Sequence, residues 1–196
     1  MPGGCRVNTL VPGREVGMAH RLVALLRGIN VGAAKRVEMA RLRALVSGLG
    51  YTEVSTLLNS GNVVFTSTRA AVEEATSRIE RAIAEKLGIS CRVTVLSSSD
   101  LDASIAENPL LAKMDNPSRM MVAFPRGRAE LARAAPFLKE DWGGDALAIG
   151  TRAAYLWCGQ GILESRLATE VQHALGDSVT MRNWATALKL QALAKK

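Results

Sequence analysis

"TEVSTLLNSGNVVFTS", residues Thr52 to Ser67, is the stretch from which the fold follows. Its two strand-like runs, "TEVSTLL" and "NVVFTS", flank Asn59-Ser60-Gly61, and small polar residues with glycine between two such runs signal a β-hairpin. A helical pattern borders it on each side. Before it, "VEMARLRALVSGLG" places Val37, Leu42, Leu45, Val46 and Leu49 on one helical face, with Gly50 as the stop. After it, residues 70–87 place Val72, Ala75, Ile79, Ile83 and Leu87 at helical spacing, closed by Gly88. Further out, "LVALLR" from Leu22 to Arg27 is a short apolar run ending at Gly28, and "CRVTVLS" alternates Cys91, Val93 and Val95. The order strand, helix, strand, strand, helix, strand is the split βαβ, or ferredoxin-like, arrangement.

The second half repeats this pattern without visible sequence identity. After a short helix around Ser99 to Glu107 and the break at Pro109, "RMMVAF" reads as a strand and Ala129 to Leu138 as a short helix. "ALAIG" and "AAYLWC" form a strand pair joined near Gly150. "ILESRLATEVQHAL" is a helix with Leu163, Leu167, Val171, Ala174 and Leu175 on its apolar side. "SVTM" supplies a short last strand, and a final helix runs from Asn183 to Ala194, with Trp184 sharing a face with Leu188. The expected architecture is α+β: two ferredoxin-like lobes with antiparallel sheets, residues 18–97 and 98–196, the second carrying a C-terminal helix. Residues 1–17, rich in Pro and Gly and without an apolar h-region, read as a disordered tail and not as a secretory signal.

Composition narrows the function classes. The 196 residues are 48% hydrophobic and 22% charged, which suits a globular chain with a real core. No apolar run approaches the length of a bilayer-spanning helix, so no membrane partner is expected. Cys5, Cys91 and Cys158 are scattered, which fits a reducing cytoplasm and argues against a disulfide framework or a zinc site. With only His20 and His173 present, a His-rich metal centre is ruled out, and no cofactor is expected. The net charge of +7 fits nucleic acid or another phosphate-bearing partner, but genomic base composition would produce the same bias, and the basic residues, 18 of 25 of them Arg, form no run of five.

In a split βαβ lobe, the loop after the first strand and the hairpin between the second and third lie at the same sheet end. That brings "GINVGAAKR" beside "NSGN", so Gly28, Asn30, Gly32, Lys35 and Arg36 would meet Asn59, Ser60, Gly61 and Asn62. The first loop also leads into a helix N-terminus, which favours an anion. Taken alone, the hairpin reads first as turn chemistry, since Asn and Gly are default turn residues; what lifts the functional reading is two amide-rich loops at one edge. In the second half the same logic groups "GQGILESR" with "RNW": Gly159 and Gly161 as a nest of N–H groups, Ser165 and Arg166 beside it, and Arg182, Asn183 and Trp184. Trp184 packing into the core and Arg182 merely capping or pairing are the structural alternatives.

"ALLRGINVG", "MARLRALVSGLGY", "LLNSGNVVF" and "RNWATALKL", in this order from Met18 to Leu193, resemble the bacterial family known as domain of unknown function 1697. The resemblance implies an α+β fold and a cytoplasmic bacterial protein, and it assigns no catalytic roles. Gly28, Asn30, Gly32, Asn59, Ser60, Gly61, Asn62, Ser165, Arg182, Asn183 and Trp184 match the family's motifs. Ala33, Ala34, Leu163, Glu164 and Ala185 depart from them, which implies altered contacts if those positions touch a ligand.

Three functions are compatible with these readings. The favoured one is a phosphate-bearing ligand, a nucleotide or nucleic acid, held by the Asn- and Gly-rich loops. With Phe65 as the single aromatic on the first sheet, base stacking there is not expected. The second is an enzyme acting on a small polar metabolite. Ser60 and Ser165 lack an evident histidine partner and Glu38, Asp100 and Asp145 form no legible pair, so catalysis is left open. The third is a protein-interaction module. Apolar residues on both faces of the inner strands call for a cover, either the second lobe or another subunit, in a monomer or small homo-oligomer.

Overall fold

The computed structural model describes residues 19–30, 36–69 and 71–196. The expected tail over residues 1–17, together with Gly32 and Lys35, lies outside them. Eight strands and five α-helices follow the anticipated order: β1 (His20–Leu26), α1 (Met39–Ser47), β2 (Thr52–Leu57), β3 (Asn62–Ser67), α2 (Val72–Leu87) and β4 (Val93–Ser97) build the first lobe. After α3 (Ser98–Ala106), the second lobe consists of β5 (Met120–Pro125), a 3-10 stretch (Arg128–Lys139), β6 (Ala146–Ile149), β7 (Ala154–Trp157), α4 (Arg166–Leu175) and β8 (Val179–Asn183), and α5 (Trp184–Ala194) ends the chain.

The two sheets are antiparallel and share one topology, β2-β3-β1-β4 and β6-β7-β5-β8. Both are the split βαβ order read from the hydrophobic pattern. Alternation along each inner strand divides its side chains between two cores. In β1, Leu22, Ala24 and Leu26 face α1 and α2, while Val23 and Leu25 face the other way. That second face joins Val122, Phe124 and Tyr155 of the second sheet, with Leu101 of α3 and Trp184, Ala187 and Leu190 of α5 wedged between. The other face of the second sheet is covered by the 3-10 stretch and α4. The cover demanded by the two-sided apolar strands is therefore the second lobe and α5.

Three local expectations need correction. The expected helix over Ala129 to Leu138 is 3-10 throughout, and Pro136 sits inside it. Proline has no N–H to give and crowds the preceding turn, so a regular α-helix is disfavoured there. The fourth helix begins at Arg166 because Ser165 caps it, which leaves Leu163 outside and 93% exposed. Leu188 is exposed as well, and the buried face of α5 is Trp184, Ala187, Leu190 and Ala194.

Candidate functional site

The hairpin and the loop after β1 do meet at one end of the first sheet. The chain turns over residues 58–61 with Leu58 at φ 56° and Gly61 at φ 73°. Gly61 is required twice over: its backbone is left-handed, and a Cβ there would lie 2.7 Å from both Leu26 Cβ and Ile29 Cδ1. Its carbonyl accepts the Leu26 N–H at 2.8 Å, laying the turn onto the end of β1. Asn30, at φ 55°, uses its whole carboxamide as a clasp. Its Oδ1 accepts the Val37 N–H at 2.7 Å, and its Nδ2 donates to the carbonyls of Val37 at 2.9 Å and Asn59 at 2.6 Å.

Asn62 is fully buried and equally committed. Its Nδ2 donates to the Leu57 carbonyl at 3.0 Å and to Ser60 Oγ at 2.9 Å, while its Oδ1 accepts from Arg182 Nε at 2.6 Å. Arg182 comes from β8, in the other lobe. Its Nη2 donates to the carbonyls of Leu26 at 2.7 Å and Ser60 at 3.0 Å, and its Nη1 to that of Met181 at 2.8 Å. Among the described residues no carboxylate pairs with it. Burial alone pushes its pKa down to about 10, so it remains a cation at neutral pH. Arg182 thus latches the second lobe onto the first-lobe hairpin.

Of the second loop cluster, Arg182 bonds to the first, whereas Gly159, Gly161 and Ser165 bond within their own lobe. Asp145 Oδ1 accepts the Gly159 N–H at 2.8 Å and its Oδ2 accepts from Ser165 Oγ at 2.6 Å, while the Gly161 N–H donates to the Cys158 carbonyl at 2.9 Å. The anion at the expected glycine nest is the chain's own. Ser165 Oγ also accepts the Ala168 N–H at 3.0 Å, and the Arg166 guanidinium lies 5.3 Å above the Trp142 ring. Burial pushes the neighbouring Cys158 thiol up. Asn183 caps α5 through the Thr186 N–H at 2.9 Å, and Trp184 is buried in the core between the lobes.

Glu107 carries a role that the sequence does not reveal. It accepts from the Thr151 N–H at 3.1 Å, Thr151 Oγ1 at 2.6 Å, the Arg152 N–H at 2.9 Å and Tyr155 Oη at 3.0 Å. Burial raises its pKa, but these bonds outweigh that and hold the carboxyl below its usual value. An anion following α3 therefore ties down the β6–β7 hairpin, as the Arg182 cation ties down β2–β3. Asp100 pairs with Arg152 on the same side.

What stays open at the first-lobe sheet end is a groove of 750 Å³. Asn30 and Asn59 line it on one side and Leu87 and Ile89 on another, with Arg36, Glu38 and Arg41 also in the lining. The amino end of α1 opens here with no side-chain cap and no acid in its first turn. Arg36 and Arg41 are exposed and form no ion pair among the described residues. Gly28, at φ 67°, lines a neighbouring groove instead. Among the described residues no three His, Cys, Asp or Glu side chains gather in a way that could hold a metal, and no helix is long and apolar enough to cross a membrane.

The sequence profile described as "Protein of unknown function (DUF1697)" matches residues 19–155. The chain belongs to this family. The DUF1697 span contains Asn30, the hairpin and Glu107 and ends before Ser165 and Arg182. No curated protein matches the sequence. A solved structure of a conserved bacterial protein from Streptococcus pneumoniae is similar in fold, with a TM-score of 0.72 and 22% identity. The match covers 90% of this chain and 99% of that one.

Proposed function

We propose that this chain binds a phosphate-bearing ligand, a nucleotide or nucleic acid, in the groove at the amino end of α1. The observation that carries this reading is the uncapped α1 terminus opening between Arg36 and Arg41, neither of which is ion-paired within the described residues. Backbone N–H groups at a helix start and the helix dipole favour a dianion, and guanidinium forks match phosphate oxygens. The amides of Asn30 and Asn62 are consumed in holding the walls, so recognition falls to the two arginines and the first-turn backbone. Leu87 and Ile89 give the ligand an apolar surface opposite. In this reading the protein acts in the bacterial cytoplasm, as a monomer or small homo-oligomer; the three scattered cysteines support that compartment.

The test is titration calorimetry with inorganic pyrophosphate, ATP and short oligonucleotides against the wild type and Arg36→Gln, Arg41→Gln and the double variant. Each lost charge-assisted contact is worth about 1.5 kcal/mol, or about ten-fold in affinity. Binding that is unchanged in the double variant contradicts the proposal.

A further inference from the structure

A second groove, of 610 Å³, adjoins the first, and the same two backbone segments wall both. Gly28 lines the second groove and Asn30 the first; Ile89 lines the first and Ser90 the second. Two residues of chain span at most about 7 Å, so the grooves are divided only by a thin ridge. Gly88, in the segment between Leu87 and Ile89, is exposed and has nothing within 4 Å of where its Cβ would stand, so the space over it is open.

The charges of the second groove are unevenly committed. Of its two acids, Glu80 pairs with Arg126 at 3.0 Å and accepts the Val93 N–H at 2.8 Å, while Asp177 pairs with Arg27 at 3.3 Å. Arg81 and Arg92 are exposed and form no ion pair among the described residues. Two uncommitted guanidiniums therefore stand on each side of the ridge: Arg36 and Arg41, then Arg81 and Arg92. Each groove alone has the volume of an ordinary small-molecule site, about 300–1,000 Å³, so the pair exceeds what one nucleotide fills. Among the described residues no Phe, Tyr or Trp lines either groove, which removes stacking as the source of affinity.

Resting on the function proposed above, we infer that the two grooves form one track for the phosphodiester backbone of a single-stranded oligonucleotide. The strand crosses Gly88 with phosphates on both arginine pairs. A single strand bends over such a ridge, whereas a duplex, stiff over about 150 base pairs, does not follow it. Recognition is by backbone charge, without sequence preference, and strongly dependent on salt.

The experiment is fluorescence anisotropy with labelled dT12 and the full chain between 50 and 200 mM salt, with the pyrophosphate titration as a separate readout of the first groove. Four phosphate contacts on a single strand give a log–log salt slope of about −2.8, which is roughly a fifty-fold loss over that range. Arg81→Gln with Arg92→Gln, both on the surface, is expected to reduce the slope to about −1.4 and the loss to roughly seven-fold, leaving pyrophosphate affinity unchanged. A double variant that keeps the wild-type slope while pyrophosphate still binds overturns the track and leaves the first-groove reading intact. Equal binding of a twelve-base-pair duplex with the same dependence on Arg81 and Arg92 overturns the single-strand assignment. Absence of both pyrophosphate and dT12 binding overturns the track together with the function beneath it.

Discussion

Arg182→Met isolates the latch between the lobes. In the wild type the guanidinium makes four hydrogen bonds, three of them to the first lobe: Leu26 O, Ser60 O and Asn62 Oδ1. At about 1–1.5 kcal/mol each, they contribute about 5 kcal/mol. Against this stands the burial of the cation, which pushes its pKa down to about 10 and disfavours the charged form by about 3 kcal/mol. The net contribution is about 2 kcal/mol. Arg182→Met removes the burial cost and the bonds together, so urea unfolding should show a loss of about 2 kcal/mol, equivalent to about 5 °C in Tm for a chain of this size. Arg182→Lys keeps the charge but cannot place donors on Asn62 Oδ1 and two carbonyls at once, so it should recover less than half of the loss. Amide exchange in residues 58–62 should accelerate in both variants. A loss below about 0.5 kcal/mol in Arg182→Met, or full recovery with lysine, refutes the ledger and the idea that the fork geometry matters.

Three further outcomes follow from the same contacts. Gly61→Ala should cost about 2–4 kcal/mol by thermal melting, because a left-handed residue and two 2.7 Å contacts are penalised together. Asn30→Ala should cost about 2 kcal/mol and also weaken pyrophosphate binding indirectly, because three bonds that fix the groove wall are lost. Glu107→Gln should cost about 1 kcal/mol at pH 7, after allowing for solvent screening, and the gap to wild type should close as pH falls. The sign follows from the shift: the folded carboxyl lies below its ordinary value of 4.5, so its stabilisation is complete above that pH and is lost as pH drops through the folded value. A gap that widens in acid contradicts the Glu107 clasp.

The sheet order was readable because period-2 runs and helical runs alternate twice, and because a split βαβ unit leaves little freedom in how they pair. The same topology places Asn30 beside Asn59 from the sequence pattern alone. Contacts between lobes were not readable. Arg182 lies in a strand whose local pattern points its alternate residues at an unnamed neighbour, and nothing nearby in sequence marks Asn62 as that neighbour, 120 positions away. Asp145 filling the Gly159 nest failed for the same reason: the loop motif is local, whereas its occupant comes from before β6. Glu107 looks like an ordinary acid ahead of an Asn-Pro turn, and only the packing of α3 against the β6–β7 turn gives it four donors. Of the fourteen anticipated site residues, Gly32 and Lys35 lie outside the described residues and Gly28 lines the neighbouring groove; Asn30, Arg36, Asn59, Ser60, Gly61, Asn62 and Arg182 gather at the first-lobe sheet end, whereas Ser165, Arg166, Asn183 and Trp184 serve capping, stacking and packing. The groove is only half legible in the sequence: Arg36 stands in the loop that the topology brings to the sheet end, whereas Arg41 lies inside the α1 pattern and nothing there marks it out.

Phosphate binding at the amino end of α1 is open to direct measurement. A ¹⁵N–¹H correlation spectrum followed through a titration with inorganic pyrophosphate addresses it residue by residue. The backbone N–H signals of Met39, Ala40 and Arg41 should move first and saturate together, with the Arg36 and Arg41 side-chain signals shifting in step and residues 159–166 still. Shifts centred on residues 159–166, or none at residues 39–41 at saturating pyrophosphate, contradict it.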